Sequence, residues 1–266
     1  MLGTVTDAED MVHDTFLTLE KIRTEKIKNI RAYLCKVITN RCLDYLKSAN
    51  QQREVYVGPW LPEPLVFRDE ETNPLDSLVN ADYISIAYLT IMQKLSGVER
   101  AVFILREVLD LDYKEIADIV EKTETNCRKI FSRAKQKIAA EAPDPVINYD
   151  ADKQLLMEFV RAVNLEDKQN LLQLLSEDVT LYSDGGGKVS AAIRPVVSSH
   201  RVIMFLLGVK RQTPVEFHFS IENINGIPGI VNYVGDKVHS VISYKVLNNQ
   251  IKEIYIIMNP DKLNHI

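Results

Sequence analysis

Along the first 140 or so positions, apolar residues return at intervals of three and four; beyond them the spacing shortens towards two. The first pattern predicts helices and the second half-buried strands. Thr6 is placed to open a first helix, with Glu9 as its capping-box partner. Ala8, Val12, Thr15, Phe16 and Leu19 form its apolar stripe, and Asp7, Asp10 and Asp14 an acidic row on another face. After a charged loop, Lys21–Lys28, a second helix is predicted from Ile30 to Ser48. Leu34, Ile38, Cys42, Tyr45 and Leu46 form its stripe, and Lys36, Asn40, Asp44 and Lys47 line another face.

Residues 54–76 break the period. Trp60-Leu61-Pro62-Glu63-Pro64 cannot continue a helix, because proline removes a donor and restrains the residue before it. This is a linker, yet it carries the chain's only tryptophan, so it is expected to dock on a domain surface. Helical spacing resumes with Ile84, Ala87, Tyr88, Ile91 and Leu95. Ser96 caps a further helix through Val102, Leu105 and Val108, Tyr113–Val120 forms a short one, and Thr123 caps the last. A short helix, a tight turn and a capped basic helix are a helix-turn-helix pattern, here without the common turn glycine.

Ala142-Pro-Asp-Pro145 closes the helical half. Helices are then expected over Asp152–Asn164, Asp167–Leu175 and Ser198–Gly208. Strands are expected over Val179–Ser183, Val215–Ile224, Ile230–Val234, Lys237–Val246 and Gln250–Met258. Asn248-Asn249 suits a two-residue hairpin turn. Three helices with a curved antiparallel sheet make a separate α+β domain.

Composition adds exclusions. The 266 residues are 46% hydrophobic and 26% charged, an ordinary folded composition long enough for two domains. No apolar run approaches a bilayer span, and no signal-peptide pattern opens the chain. Cys35, Cys42 and Cys127 lie inside helical patterns without metal-site spacing, which fits a reducing cytoplasm. The net charge of −5 argues against nucleic acid only as an average. Residues 21–53 hold nine Lys and Arg against two Asp and Glu, and residues 122–137 six against one. Local field decides whether a phosphate backbone is attracted. In the last helix Cys127, Ile130, Phe131, Ala134 and Ile138 face inward on a helical wheel. Arg128, Lys129, Ser132, Arg133 and Gln136 share the outward arc, as entry into a groove requires.

These residues resemble the extracytoplasmic-function sigma factors of RNA polymerase. Asp7-Ala-Glu-Asp-Met-Val-His-Asp-Thr-Phe16 and Arg31–Asp44 are similar to their region 2, and the helix-turn-helix at 95–138 to their region 4. WLPEP at Trp60–Pro64, DGGGK at Asp184-Gly185-Gly186-Gly187-Lys188 and NPDKL at Asn259-Pro260-Asp261-Lys262-Leu263 resemble the subgroup with a SnoaL-like C-terminal extension.

The resemblance implies a multidomain chain. Its all-α regions 2 (1–53) and 4 (77–142, helix-turn-helix) flank the 54–76 linker, and an α+β SnoaL-like cone domain follows (146–266). It implies a cytoplasmic transcription initiation factor with two partners, core RNA polymerase and promoter DNA, and no membrane. Asp7, Glu9, Asp10 and Asp14 match the polymerase-docking segment. Asn40, Arg41, Asp44 and Lys47 match the stretch that opens and reads the −10 element. Arg128, Lys129, Ser132 and Arg133 match −35-reading positions, with Lys135 and Lys137 assigned to phosphates. The three motifs are expected to meet in an intramolecular contact that governs activity. Met1–Asp7 resembles an internal stretch of the family, so a preceding helix is expected upstream, or the chain is a fragment or a divergent member. Part of the Val12, Phe16 and Leu19 stripe is then expected to lack its cover.

The cone fold also serves cyclases and isomerases, which need a carboxylate base in an apolar pocket and a donor for the enolate oxygen. Asp184 or Asp236 with Tyr182, Tyr233, His200 or His218 are the candidates, but no spacing demands that role. The expectation is no catalytic residue, no metal and no cofactor. The alternative is a degenerate sigma-like protein whose extension binds or transforms a small molecule.

Overall fold

A computed structural model describes residues 1–20, 27, 29–53, 56–67, 85–141, 148–212 and 216–266. Most of the Lys21–Lys28 loop, the Asp69–Glu71 part of the linker, Ile84, the Ala142–Pro145 break and Val215 lie outside the described residues. The chain divides into two units, Met1–Val55 with Thr90–Asp144, and Tyr56–Leu89 with Pro145–Ile266.

The first unit is helical. It holds α1 (Val5–Glu20), α2 (Ile30–Arg53), the end of α3 (Ile86–Gln93), α4 (Gly97–Glu107), α5 (Tyr113–Val120) and α6 (Glu124–Glu141). Part of the α1 stripe lacks cover, as expected. Val12 and Phe16 are 43% and 56% exposed, whereas Thr15 is buried and Met11 packs with Leu2, Cys42 and Leu46. Thr6 does not open the helix: α1 begins at Val5, and the Thr4 hydroxyl bonds the Asp7 carboxylate.

Capping boxes fix the next turns. Ser96 and Glu99 close one at the start of α4, and Asp112 and Glu115 another at the start of α5. Glu121 ends α5 at φ +54, the left-handed conformation glycine would take more readily, so the turn forms without one. Ala101, Val102, Leu105, Ile116, Ile119 and Cys127 form the shared core, and Cys35 and Leu43 of α2 pack against it.

The second unit is α+β. Helices α7 (Tyr149–Asn164), α8 (Lys168–Leu174) and α9 (Ser199–Lys210) accompany a seven-stranded sheet. Its strands are β1 (Val66–Phe67), β2 (Leu175–Asp184), β3 (Val196–Val197), β4 (Phe217–Ile224), β5 (Ile227–Val234), β6 (Lys237–Leu247) and β7 (Gln250–Ile257), in the order β1-β4-β5-β6-β7-β2-β3. The sheet is not wholly antiparallel, because β2 pairs parallel with β7. Register shifts interrupt three of its pairings, which bends strands and tightens twist.

Side-chain alternation gives the sheet two apolar faces. Leu181, Ile230, Tyr244, Ile254 and Ile256 pack with the helices. Ile224, Val231, Val241, Tyr255 and Ile257 pack with Leu61 of the linker, Ile86 and Ala87 of α3, and Leu263. The linker therefore covers one face of the sheet. It also extends its edge, since Val66 pairs with Ile224 and Phe67 with Asn223. At the β6–β7 hairpin, Asn248 and Asn249 adopt φ +52 and +59, as a type I′ turn demands.

Candidate functional site

On α6, Cys127 and Ala134 are fully buried and Ile138 nearly so, while Arg128, Lys129, Ser132, Arg133 and Gln136 are exposed together. Burial raises the Cys127 thiol pKa, so this cysteine is a packing residue. Lys135 and Lys137 are engaged within the unit. Their ammonium groups lie 3.2 Å from Glu107 and 2.7 Å from Glu99. Both are therefore less available to phosphates than the sequence implied.

In α1 and α2 the acidic and basic residues partly consume one another. Arg41 donates to Asp14 at 2.7 Å and to the Thr18 hydroxyl at 2.8 Å. Asp44 and Lys47 pair at 2.8 Å with most of both side chains in water. Glu9 and Asp10 remain exposed, and Asn40 is half-buried. Arg31 donates 2.8 Å to the Leu109 carbonyl between α4 and α5, so α2 is fastened to the helix-turn-helix.

In the second unit, three segments far apart in sequence meet on one carboxylate. Asp184 ends β2 with no exposed surface. Its Oδ2 accepts from the Leu61 N–H at 2.8 Å and the Lys262 ammonium at 2.7 Å. Its Oδ1 accepts from the Tyr56 hydroxyl at 2.6 Å and the Gly186 N–H at 3.1 Å. A carboxylate has about four acceptor positions, and these four donors fill them.

Lys262 also donates to the Leu61 carbonyl, and its ammonium lies 4.0 Å above the Trp60 ring. The docking expected of the tryptophan is thus a cation–π contact. Burial, and then the Asp184 hydrogen bond and charge, push the Tyr56 hydroxyl pKa up, which keeps it a donor.

The rim of this clasp is equally specific. The Asp184 carbonyl accepts from the Met258 and Asn259 N–H groups at 2.8 and 3.0 Å, joining DGGGK to NPDKL. Asn259 Nδ2 donates to Tyr56 at 3.0 Å, and Lys188 pairs with Asp261 at 2.6 Å. Gly186 sits at φ +60, and a Cβ there would stand 2.4 Å from Asn259 Nδ2. This glycine answers to both conformation and close approach. His265 places Nδ1 2.9 Å from buried Glu63 and Nε2 2.9 Å from the Pro64 carbonyl. Leu65 and Asn225 exchange two hydrogen bonds, each 2.9 Å.

The isomerase candidates do not assemble. Asp184 is saturated by the clasp, Asp236 lies in the exposed β5–β6 turn, and His200 is exposed on α9. His218 and Tyr233 stack on each other at 4.9 Å. Among the described residues no cluster of His, Cys, Asp and Glu could hold a metal ion, and no helix is long and apolar enough to cross a membrane.

Comparison with known proteins matches residues 1–52 to Sigma-70 region 2 and residues 85–138 to Sigma-70, region 4. The ECF RNA polymerase sigma factor SigJ of Mycobacterium tuberculosis is 31% identical over 278 residues, covering 98% of this chain and 87% of that one. The chain belongs to the ECF RNA polymerase sigma factors. A second relative, the probable ECF sigma factor SigI of the same species, is 25% identical over 99% of this chain and 89% of its own length. The crystal structure of Mycobacterium tuberculosis SigJ superposes with a TM-score of 0.78 at 27% identity, covering 99% of this chain and 91% of that one.

As an ECF sigma factor the protein acts in promoter-specific transcription initiation, with α1 and α2 in region 2 and α4 to α6 in region 4. The superposition on SigJ extends through the α+β unit that follows region 4. Sequence reasoning missed Tyr56, Asn225 and His265 as clasp residues. Tyr56 and His265 lie just outside recognisable motifs, and Asn225 reads only as a hairpin residue before Gly226. No local signal marks any of the three.

Proposed function

We propose that this sigma factor is regulated in cis by its SnoaL-like extension, which grips the linker between regions 2 and 4. The observation supporting this is the fourfold coordination of Asp184, two of whose donors, Tyr56 and Leu61, belong to the linker. Regions 2 and 4 must reach two promoter elements at once. Each linker residue withheld removes up to about 3.5 Å of reach, so capture of the 56–67 stretch limits their separation. The Arg31–Leu109 bond and the packing of α2 on the region 4 core must also yield before the two regions part.

In this reading Asp7, Glu9, Asp10 and Asp14 dock on core polymerase. Asn40, Arg41, Asp44 and Lys47 act at the −10 element, and Arg41 must first exchange Asp14 for phosphate or base. Arg128, Lys129, Ser132 and Arg133 act at the −35 element, where an outward basic arc suits the major groove. The test is run-off transcription with core RNA polymerase, comparing the whole chain with one lacking residues 146–266. Release of the linker is expected to change output several-fold. Unchanged output overturns the regulatory reading and leaves the sigma role standing.

A further inference from the structure

The outward residues of α6 are not equivalent, and the difference lies in what stands behind them. Tyr113, the first residue of α5, is held in place by the Asp112–Glu115 capping box. Its ring meets Phe131 edge-on at 6.2 Å, and Phe131 stacks on buried Phe103 at 5.9 Å. Three rings thus run from the region 4 core to its surface.

Two guanidinium groups lie against the outermost ring. Arg106 is 5.3 Å from its centroid, but it donates to the Leu111 carbonyl at 2.8 Å and pairs with Asp110 at 3.5 Å. Arg128 is 4.3 Å from the centroid, and its Nη2 is 3.7 Å from Glu124 on the preceding turn. Its side chain nevertheless remains 60% exposed. Lys129 and Arg133, on the same arc, make no ion pair or ring contact among the described residues.

Stacking occupies the face of a guanidinium and leaves its N–H edge free, the edge that pairs with guanine O6 and N7. A free arginine must lose rotamer freedom when it makes that pair, whereas one already seated on a ring has lost part of it. We propose that Tyr113 is a positioning residue for promoter readout. It holds Arg128 as the base-specific reader of the −35 element, while Lys129 and Arg133 serve the phosphate backbone whatever the sequence. The assignment rests on the reading of α6 as the −35 helix.

The test uses the whole chain with core RNA polymerase on a promoter library randomised across the −35 element, with transcripts counted by sequencing. Arg128→Ala is expected to erase preference at one position by about tenfold. Tyr113→Leu is expected to flatten that same position and leave the others, and Tyr113→Phe, which keeps the ring, to retain it. Lys129→Ala should lower output evenly and reduce the salt slope by about one. Tyr113→Met, which fills the space without an aromatic face, replaces the leucine variant if thermal melting shows that one unfolded. Preference retained in the Tyr113 variants but lost in Arg128→Ala overturns the positioning role and leaves the −35 reading intact. Preference retained in Arg128→Ala overturns that reading for Arg128 itself.

Discussion

The Lys262 ammonium stands 2.7 Å from the Asp184 carboxylate, with the two side chains 6% and 0% exposed. Burying two charges carries a desolvation cost, which their attraction offsets only when the remaining donors and acceptors are satisfied. Here the Leu61 carbonyl, the Trp60 face, the Tyr56 hydroxyl and two backbone amides supply that satisfaction. Two of the three motifs provide the ions, and the third, with Tyr56 and the Gly186 amide, provides what makes their burial tolerable.

Removing one ion leaves the other stranded. Lys262→Met should destabilise the α+β unit by about 3–5 kcal/mol, while Asp184→Asn with Lys262→Met should recover part of the loss. Thermal or urea unfolding of the whole chain measures both. A single variant no less stable than the double would show the pair to be unimportant.

Gly186→Ala tests the close approach at the clasp rim. The new methyl would meet the Asn259 amide in a backbone conformation, φ +60, that L-residues resist. A loss of at least about 1–2 kcal/mol is expected from the conformation alone. Gly208→Ala is the control, because nothing lies within 4 Å of a Cβ there. A gain in helix propensity of about 1 kcal/mol is expected at that site.

Acid should weaken the helical unit through Glu99. Burial pushes its carboxyl up, but hydrogen bonds from Lys137 and from Ser96 outweigh this and hold it below its ordinary value of 4.5. A depressed carboxyl contributes stability that is complete above the unfolded value and lost as pH falls through the folded one. Unfolding midpoints of the native chain should therefore drop below about pH 4.5, and those of Glu99→Gln should drop less steeply. Parallel acid limbs would refute the assignment.

Much of this architecture was legible in local pattern. The three-and-four spacing placed α2 and α4 to α6, and the outward arc of α6 followed from a wheel alone because one side must fill a core. Alternation placed β4 to β7 to within a few residues. The helix of Ile30 ran on to Arg53, since Gln51 and Gln52 are adequate helix formers that pattern cannot distinguish from loop. The two-residue strands β1 and β3 were not legible at all, because so short a strand exists only through its partner.

By itself the sequence determined the helical and α+β halves, the helix-turn-helix and the residues facing outward from it. These follow from periodicity, capping and turn chemistry, all set by near neighbours. Tertiary structure alone decided that β2 runs parallel to β7 and that Arg41 is bound to Asp14. It alone showed why WLPEP, DGGGK and NPDKL belong together. A buried carboxylate needs its donors from wherever the fold can bring them, and no sequence interval encodes that requirement.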